Sequence, residues 1–100
     1  MVIDHDAYVK DDGIVAFVCK NKVLSLIGSN ATVFVGSNGQ FWNNSSGNTI
    51  YAKSGADLAF YSSDNDVYVE DGVNVEDDSE EQSLPLVICT SVTYENEPGC

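Results

Sequence analysis

The sequence predicts an all-β fold: a short β-solenoid (β-helix) with coils of about 17 residues and two strands per coil, capped by a C-terminal strand. Three observations predict it. Apolar triplets recur at alternating intervals of 9 and 8 residues. Turn-forming residues recur in the same register. Val, Ile, Tyr, Phe, Thr, Ser, Asn and Gly dominate the first three quarters of the chain, and helix formers are scarce there.

Strand starts are read at Ala7, Ala16, Leu24, Val33, Phe41, Ile50, Leu58, Val67 and Val75. The triplets Ala16-Phe17-Val18, Val33-Phe34-Val35, Ile50-Tyr51-Ala52 and Val67-Tyr68-Val69 align, each apolar, aromatic, apolar. The second half-coil aligns Leu24-Ser25-Leu26 with Phe41-Trp42-Asn43, Leu58-Ala59-Phe60 and Val75-Glu76-Asp77. Side chains alternate across a strand, so the columns headed by Ala16 and Val18 should point inward. Phe17, Phe34, Tyr51 and Tyr68 should then form an outward ladder. An antiparallel meander would also alternate, but it has no reason to hold a constant register.

The corners repeat as well. Gly28-Ser29-Asn30, Ser45-Ser46-Gly47 and Ser62-Ser63-Asp64 fall in step. So do Lys20-Asn21, Ser37-Asn38, Ser54-Gly55 and Asp71-Gly72. Gly, Asn and Asp tolerate the positive φ that a tight corner demands.

One hundred residues, 43 % of them hydrophobic, allow a single domain over 1–100. Its solenoid coils are expected over 7–75. An acidic linker or ragged coil should follow over 76–83, and a capping strand over 84–94. Pro85 places that strand at an edge or makes the proline its start. It should cover either the last coil or the aromatic ladder, because an open solenoid end exposes core and backbone.

Charge is distributed unevenly. There are 16 acidic and 4 basic residues, a net charge of −12. No acid occurs from Gly13 to Ala56, whereas ten fall between Asp57 and Glu81. These ten are the expected partner-binding residues: Asp57, Asp64, Asp66, Glu70, Asp71, Glu76, Asp77, Asp78, Glu80 and Glu81. Asp4, Asp6, Asp11 and Asp12 form a smaller group. A rod of about 4.5 coils is roughly 22 Å long at the strand spacing of a sheet. It would carry about one net charge per ~1.8 Å, close to the ~1.7 Å of duplex DNA. Such a balance opposes direct contact with nucleic acid or an anionic membrane, and it suits a basic protein partner. Solubility alone is the plainer reading of the same charge.

Chemistry finds little foothold. His5, the single histidine, sits near the terminus with nothing around it resembling a catalytic triad. Cys19, Cys89 and Cys100 have no paired spacing and read as buried or incidental thiols, a Cys89–Cys100 bridge being the alternative. Around Asp64-Asn65-Asp66, Tyr68 and Val69 stand where a calcium loop needs a ligand and a glycine. A glycosidase-like carboxylate pair would lack a walled cleft in so short a rod. A threonine row for ice binding is broken by Asp66 after Thr32 and Thr49. The chain is therefore expected to be no enzyme, and to need no metal or cofactor. The start, Met1 to Asp6, lacks the basic and apolar regions of a secretory signal, and no apolar run approaches a membrane span. A cytoplasmic location is the expectation.

The stretch Ser29-Asn30-Ala31-Thr32-Val33-Phe34-Val35 resembles the short Asn-Ala-Thr-Val solenoid repeats of small bacterial and phage proteins, over roughly residues 14 to 75. Ala56-Asp57-Leu58-Ala59-Phe60 looks like one pentapeptide repeat. Proteins of that type form β-helices, and some mimic DNA and inhibit gyrase. This chain departs from them, because its coil is shorter than four pentapeptides and the motif occurs once. Its size and acidity also resemble those of anti-CRISPR inhibitors, several of which occupy the DNA-binding groove of a CRISPR effector. The resemblance implies a phage-type inhibitor acting in the host bacterial cytoplasm. Its partner would be a basic nucleic-acid-binding protein, such as a CRISPR effector, with no direct nucleic acid and no membrane. The alternative is a structural or assembly module that self-associates, for example as a homodimer, through the aromatic ladder.

Overall fold

A computed structural model describes residues 1–62, 64–77 and 86–92. Among these residues it is all-β, with eleven strands: β1 (Val2–Ile3), β2 (Ala7–Val9), β3 (Val15–Val18), β4 (Val23–Leu26), β5 (Thr32–Val35), β6 (Gln40–Asn43), β7 (Thr49–Ala52), β8 (Asp57–Phe60), β9 (Asp66–Glu70), β10 (Asn74–Asp77) and β11 (Leu86–Cys89). Odd-numbered strands stack in one sheet, in the order β1-β3-β5-β7-β9-β11. Even-numbered strands stack in the other, β10-β8-β6-β4-β2. We call these sheets A and B. Every pairing is parallel. The chain is a two-sided β-solenoid of about five turns with 17-residue coils.

The register follows the repeat. Ala16 pairs with Val33, Val33 with Ile50 and Ile50 with Val67. Strands start about a residue earlier than the apolar triplets alone indicate, taking in Thr32, Gln40, Thr49, Asp57 and Asp66. The first coil also starts before Ala7, because Val2 and Ile3 pair with Phe17 and Val18. At the other end β11 stacks on β9, Leu86 opposite Val67 and Cys89 opposite Glu70. The capping strand thus extends the stack. The remainder of the 76–83 and 84–94 segments, residues 78–85 and 93–94, lies outside the described residues.

The core lies between the sheets. Sheet A contributes the columns Ala16, Val33, Ile50, Val67 and Val18, Val35, Ala52, Val69, all buried. Sheet B contributes Leu24, Phe41, Leu58 and Leu26, Asn43, Phe60, also buried. Phe41 and Phe60 meet edge to face, with centroids 6.4 Å apart. On the outer side of sheet A the four rings stack as expected: Phe17–Phe34 at 4.9 Å, Phe34–Tyr51 at 5.2 Å and Tyr51–Tyr68 at 5.1 Å. That spacing is close to the strand separation of a sheet, so the backbone sets the stack.

Backbone conformation explains the corner composition. Gly13, Asn30, Gly47 and Asp64 all have positive φ, and so do Asn21, Asn38, Gly55 and Gly72. These are two columns, one for each corner of the coil. At the second corner, Lys22 N donates to Cys19 O, Gly39 N to Gly36 O and Ala56 N to Lys53 O, at 2.9–3.1 Å. The third residue of each turn has positive φ, the type II pattern that favours Gly or Asn there.

The first corner hides a polar ladder that the repeat alone does not announce. Asn48 and Asn65 are buried. Asn48 Oδ1 accepts from Ala31 N (2.9 Å), and Asn65 Oδ1 accepts from Asn48 N (3.0 Å). Asn48 Nδ2 donates to Gly28 O and to Asn43 Oδ1, both at 2.9 Å. Each amide satisfies a backbone group that the tight corner withdraws from water. Asn43 Nδ2 is buried without a partner among the described residues.

The cysteines differ from the sequence expectation. Cys19 is disulfide-bonded and Cys89 is a free thiol, so no Cys89–Cys100 bridge forms. The partner of Cys19 lies outside the described residues. In a reducing cytoplasm such a bond opens, and the stacked coils must then hold the fold unaided.

Candidate functional site

The acids of the C-terminal coils are positioned by the repeat, and they do not share one face. Asp66 opens β9 on sheet A. Asp64 occupies the first corner, in the positive-φ column. Glu70 and Asp71 lie at the second corner. Asp57 opens β8, and Glu76 lies on the outer side of β10 opposite Ala59. Asp77, which follows Glu76 on β10, pairs with Phe60 of β8. The acids therefore encircle the last coils as a collar. Asp78, Glu80 and Glu81 lie outside the described residues.

Two of these carboxylates serve the fold. Glu70 Oε1 accepts from Ser54 N (2.8 Å) and Oε2 from Val92 N (2.7 Å). It ties the coil below to the segment that follows β11, where Val92 is buried. The Val92 and Ser54 amide bonds hold its carboxyl below the ordinary value of 4.5, with Lys53 adding a smaller attraction. Asp57 Oδ1 accepts from Asn74 Nδ2 (2.9 Å). Asp64, Asp66, Asp71 and Glu76 are exposed and form no ion pair among the described residues.

The N-terminal acids are committed differently. Asp6 Oδ1 accepts from Val23 N (3.2 Å) and Asp12 Oδ1 from Ser29 N (2.8 Å), each reaching one coil along the axis. Asp4 pairs with His5 at 3.0 Å, and that hydrogen bond lowers its pKa. These four acids surround the other end of the stack. Negative charge thus marks both ends of the solenoid, while the middle coils, from Gly13 to Ala56, contain none.

No group of three His, Cys, Asp or Glu side chains converges for a metal ion among the described residues. Nor is any helix there long and apolar enough to cross a membrane. The fold and its charge define the class of protein: a short, acidic, parallel β-solenoid. No protein-family model, no curated protein and no solved structure matches the chain.

Proposed function

We propose that the protein is a non-enzymatic acidic inhibitor, and that it occupies the Lys/Arg-lined nucleic-acid site of a host defence complex of the CRISPR type. One observation carries the reading: Asp64, Asp66, Asp71 and Glu76 are exposed, uncompensated by cations, and concentrated on the last coils. Clustering like charges costs stability through self-repulsion, and solubility alone does not require it. The six strands of sheet A span about 24 Å at the usual spacing, enough to present the collar at the end of a short rod. A basic groove evolved for phosphates would receive such a collar without needing a particular side-chain geometry, because it reads charge density.

A second reading is favoured by the acids at the opposite end. Parallel stacking leaves an unpaired strand edge at each end, an invitation to end-to-end association. Like charge at both ends opposes it. This role requires no partner at all.

Affinity capture from a bacterial lysate at low and high salt separates the two. The inhibitor reading expects a nucleic-acid-binding complex at low salt that is lost as the charges are screened. Recovery of no such complex at any salt leaves edge protection as the role of the acids.

A further inference from the structure

The aromatic residues divide between the sheets in an instructive way. On sheet A the rings stack on one another. On sheet B they stand apart. Tyr8 is 58 % exposed, Ile27 39 %, Trp42 45 % and Tyr61 48 %. The central outer column of sheet B reads Tyr8, Ser25, Trp42, Ala59, Glu76, each opposite the next. Large residues alternate with small ones, so no ring stacks on Trp42 among the described residues.

Ile27 and Tyr61 complete the patch. The ladder runs one residue past β4 and β8: Ile27 N donates to Val9 O and Tyr61 N to Asn43 O, both at 2.9 Å. Each lies two residues beyond Ser25 or Ala59 and therefore on the same outer side. Each is one coil from Trp42 and diagonal to it, about 7–8 Å away by strand geometry. Asn44 stands between Ile27 and Tyr61 in their own column, so the apolar centre is the indole with Ile27 and Tyr61 on its diagonals, and Ser25 and Ala59 are low points beside it. Charge frames it. Asp57 and Glu76 stand on the C-terminal side. Asp6 and Lys10 stand on the N-terminal side, with Lys10 Nζ 5.5 Å over the Tyr8 ring.

We infer that the outer face of sheet B, centred on Trp42, is a protein-docking surface for a partner that presents a shallow apolar recess edged by Lys or Arg. An exposed Trp flanked by Tyr and Ile is the composition of an interface centre, where a few aromatic anchors carry most of the binding. The rim supplies the partner's chemistry: three carboxylates against one ammonium select a basic edge. The same rim repels phosphate, which excludes stacking on nucleic acid or seating on an anionic membrane. A second copy would bring acid against acid. The surface shares Glu76 with the exposed collar and otherwise uses different side chains from Asp64, Asp66 and Asp71; its apolar centre at Trp42 and Tyr61 stands whether or not the inhibitor reading does.

The test is site-specific photo-crosslinking with the full chain. The photoreactive p-benzoylphenylalanine is introduced separately at Trp42, at Tyr61 and, as the control on sheet A, at Thr49. After irradiation in a bacterial lysate, the joined peptides are sequenced. The expected result is one protein joined at positions 42 and 61 and not at 49, through an apolar peptide with Lys or Arg beside it. The adduct should fall at least about tenfold with Asp57→Lys/Glu76→Lys, equivalent to ~1.4 kcal/mol. Asp66→Lys, on the outer side of sheet A, should leave it unchanged. Unaltered far-UV circular dichroism establishes that each variant folds. Absence of adducts, equal labelling from position 49, or adducts only with nucleic acid or with a second copy of this chain would overturn the inference.

Discussion

Asn48→Ala removes a single side chain from the hidden corner of the third and fourth coils. It deprives Ala31 N of its acceptor and Gly28 O of its donor, each a 2.9 Å bond. It also takes from Asn43 the amide that its Oδ1 accepts, leaving that oxygen only the longer 3.3 Å bond from Ser45 N. Asn43 Nδ2, buried without a partner among the described residues, is a donor and so offers Ala31 N no replacement acceptor. An orphaned buried group costs about 1–3 kcal/mol, and two fully orphaned backbone groups give about 2–6 kcal/mol. That is a large share of the ~5–15 kcal/mol by which a small domain is stable. Urea unfolding followed by far-UV circular dichroism reads the effect directly. With a slope of about 2 kcal/mol per molar, the midpoint should fall by roughly 1–3 M at unchanged slope. Asn44→Ala, the exposed neighbour on the same strand path, should stay within about 0.5 kcal/mol of the parent. Equal midpoints for Asn48→Ala and Asn44→Ala would refute the ladder as a source of stability.

Three further perturbations probe the same structure. Gly28→Ala places a Cβ 1.9 Å from Asp11 O, which is backbone and has to move, so the first coil should loosen; Gly13→Ala meets nothing within 4 Å and carries only the strain of its φ of +70°. Hydrogen exchange should therefore show greater loss of protection in β2 for Gly28→Ala than for Gly13→Ala, and equal protection would contradict the packing described. Glu70 has a depressed pKa, so it favours the folded state above its ordinary 4.5, and that contribution disappears as pH falls through the lower folded value. The stability difference between the parent and Glu70→Gln should therefore shrink on acidification below about 4.5; a difference independent of pH would remove the Ser54–Val92 clamp from the account. At 1 M salt the Debye length is about 3 Å, so light scattering should detect end-to-end association if charge protects the edges, and a constant mass would count against that role.

The fold was more legible in the sequence than the site. A constant register across both half-coils follows from stacked parallel strands, and the Gly, Asn and Asp columns mark the corners because L-residues with bulky side chains resist positive φ. The asparagine ladder left a fainter trace. Asn48 and Asn65 recur 17 apart, but so do the turn asparagines, and only burial separates an amide that serves the backbone from one that faces water. Trp42 aligns in the sequence with the second half-coil, and alternate strands belong to opposite sheets, so it stands on sheet B, away from the ladder. The acids show the same limit. Their crowding between Asp57 and Glu81 is plain, yet the linear run wraps around the coil, so neighbours in sequence stand on different faces. Nothing in the sequence separates Glu70, tied to two backbone amides, from exposed Asp71 beside it.

That distinction defines the most direct test of the proposed function. Asp64→Lys/Asp66→Lys/Asp71→Lys/Glu76→Lys reverses the exposed collar and leaves Glu70 and the Asp57–Asn74 bond in place. The measurement is displacement of labelled DNA from the nucleic-acid-binding complex captured by the parent protein, at low salt. The account predicts that the parent displaces the DNA and that the reversed variant, still folded by circular dichroism, does not. Undiminished displacement by the variant would contradict it.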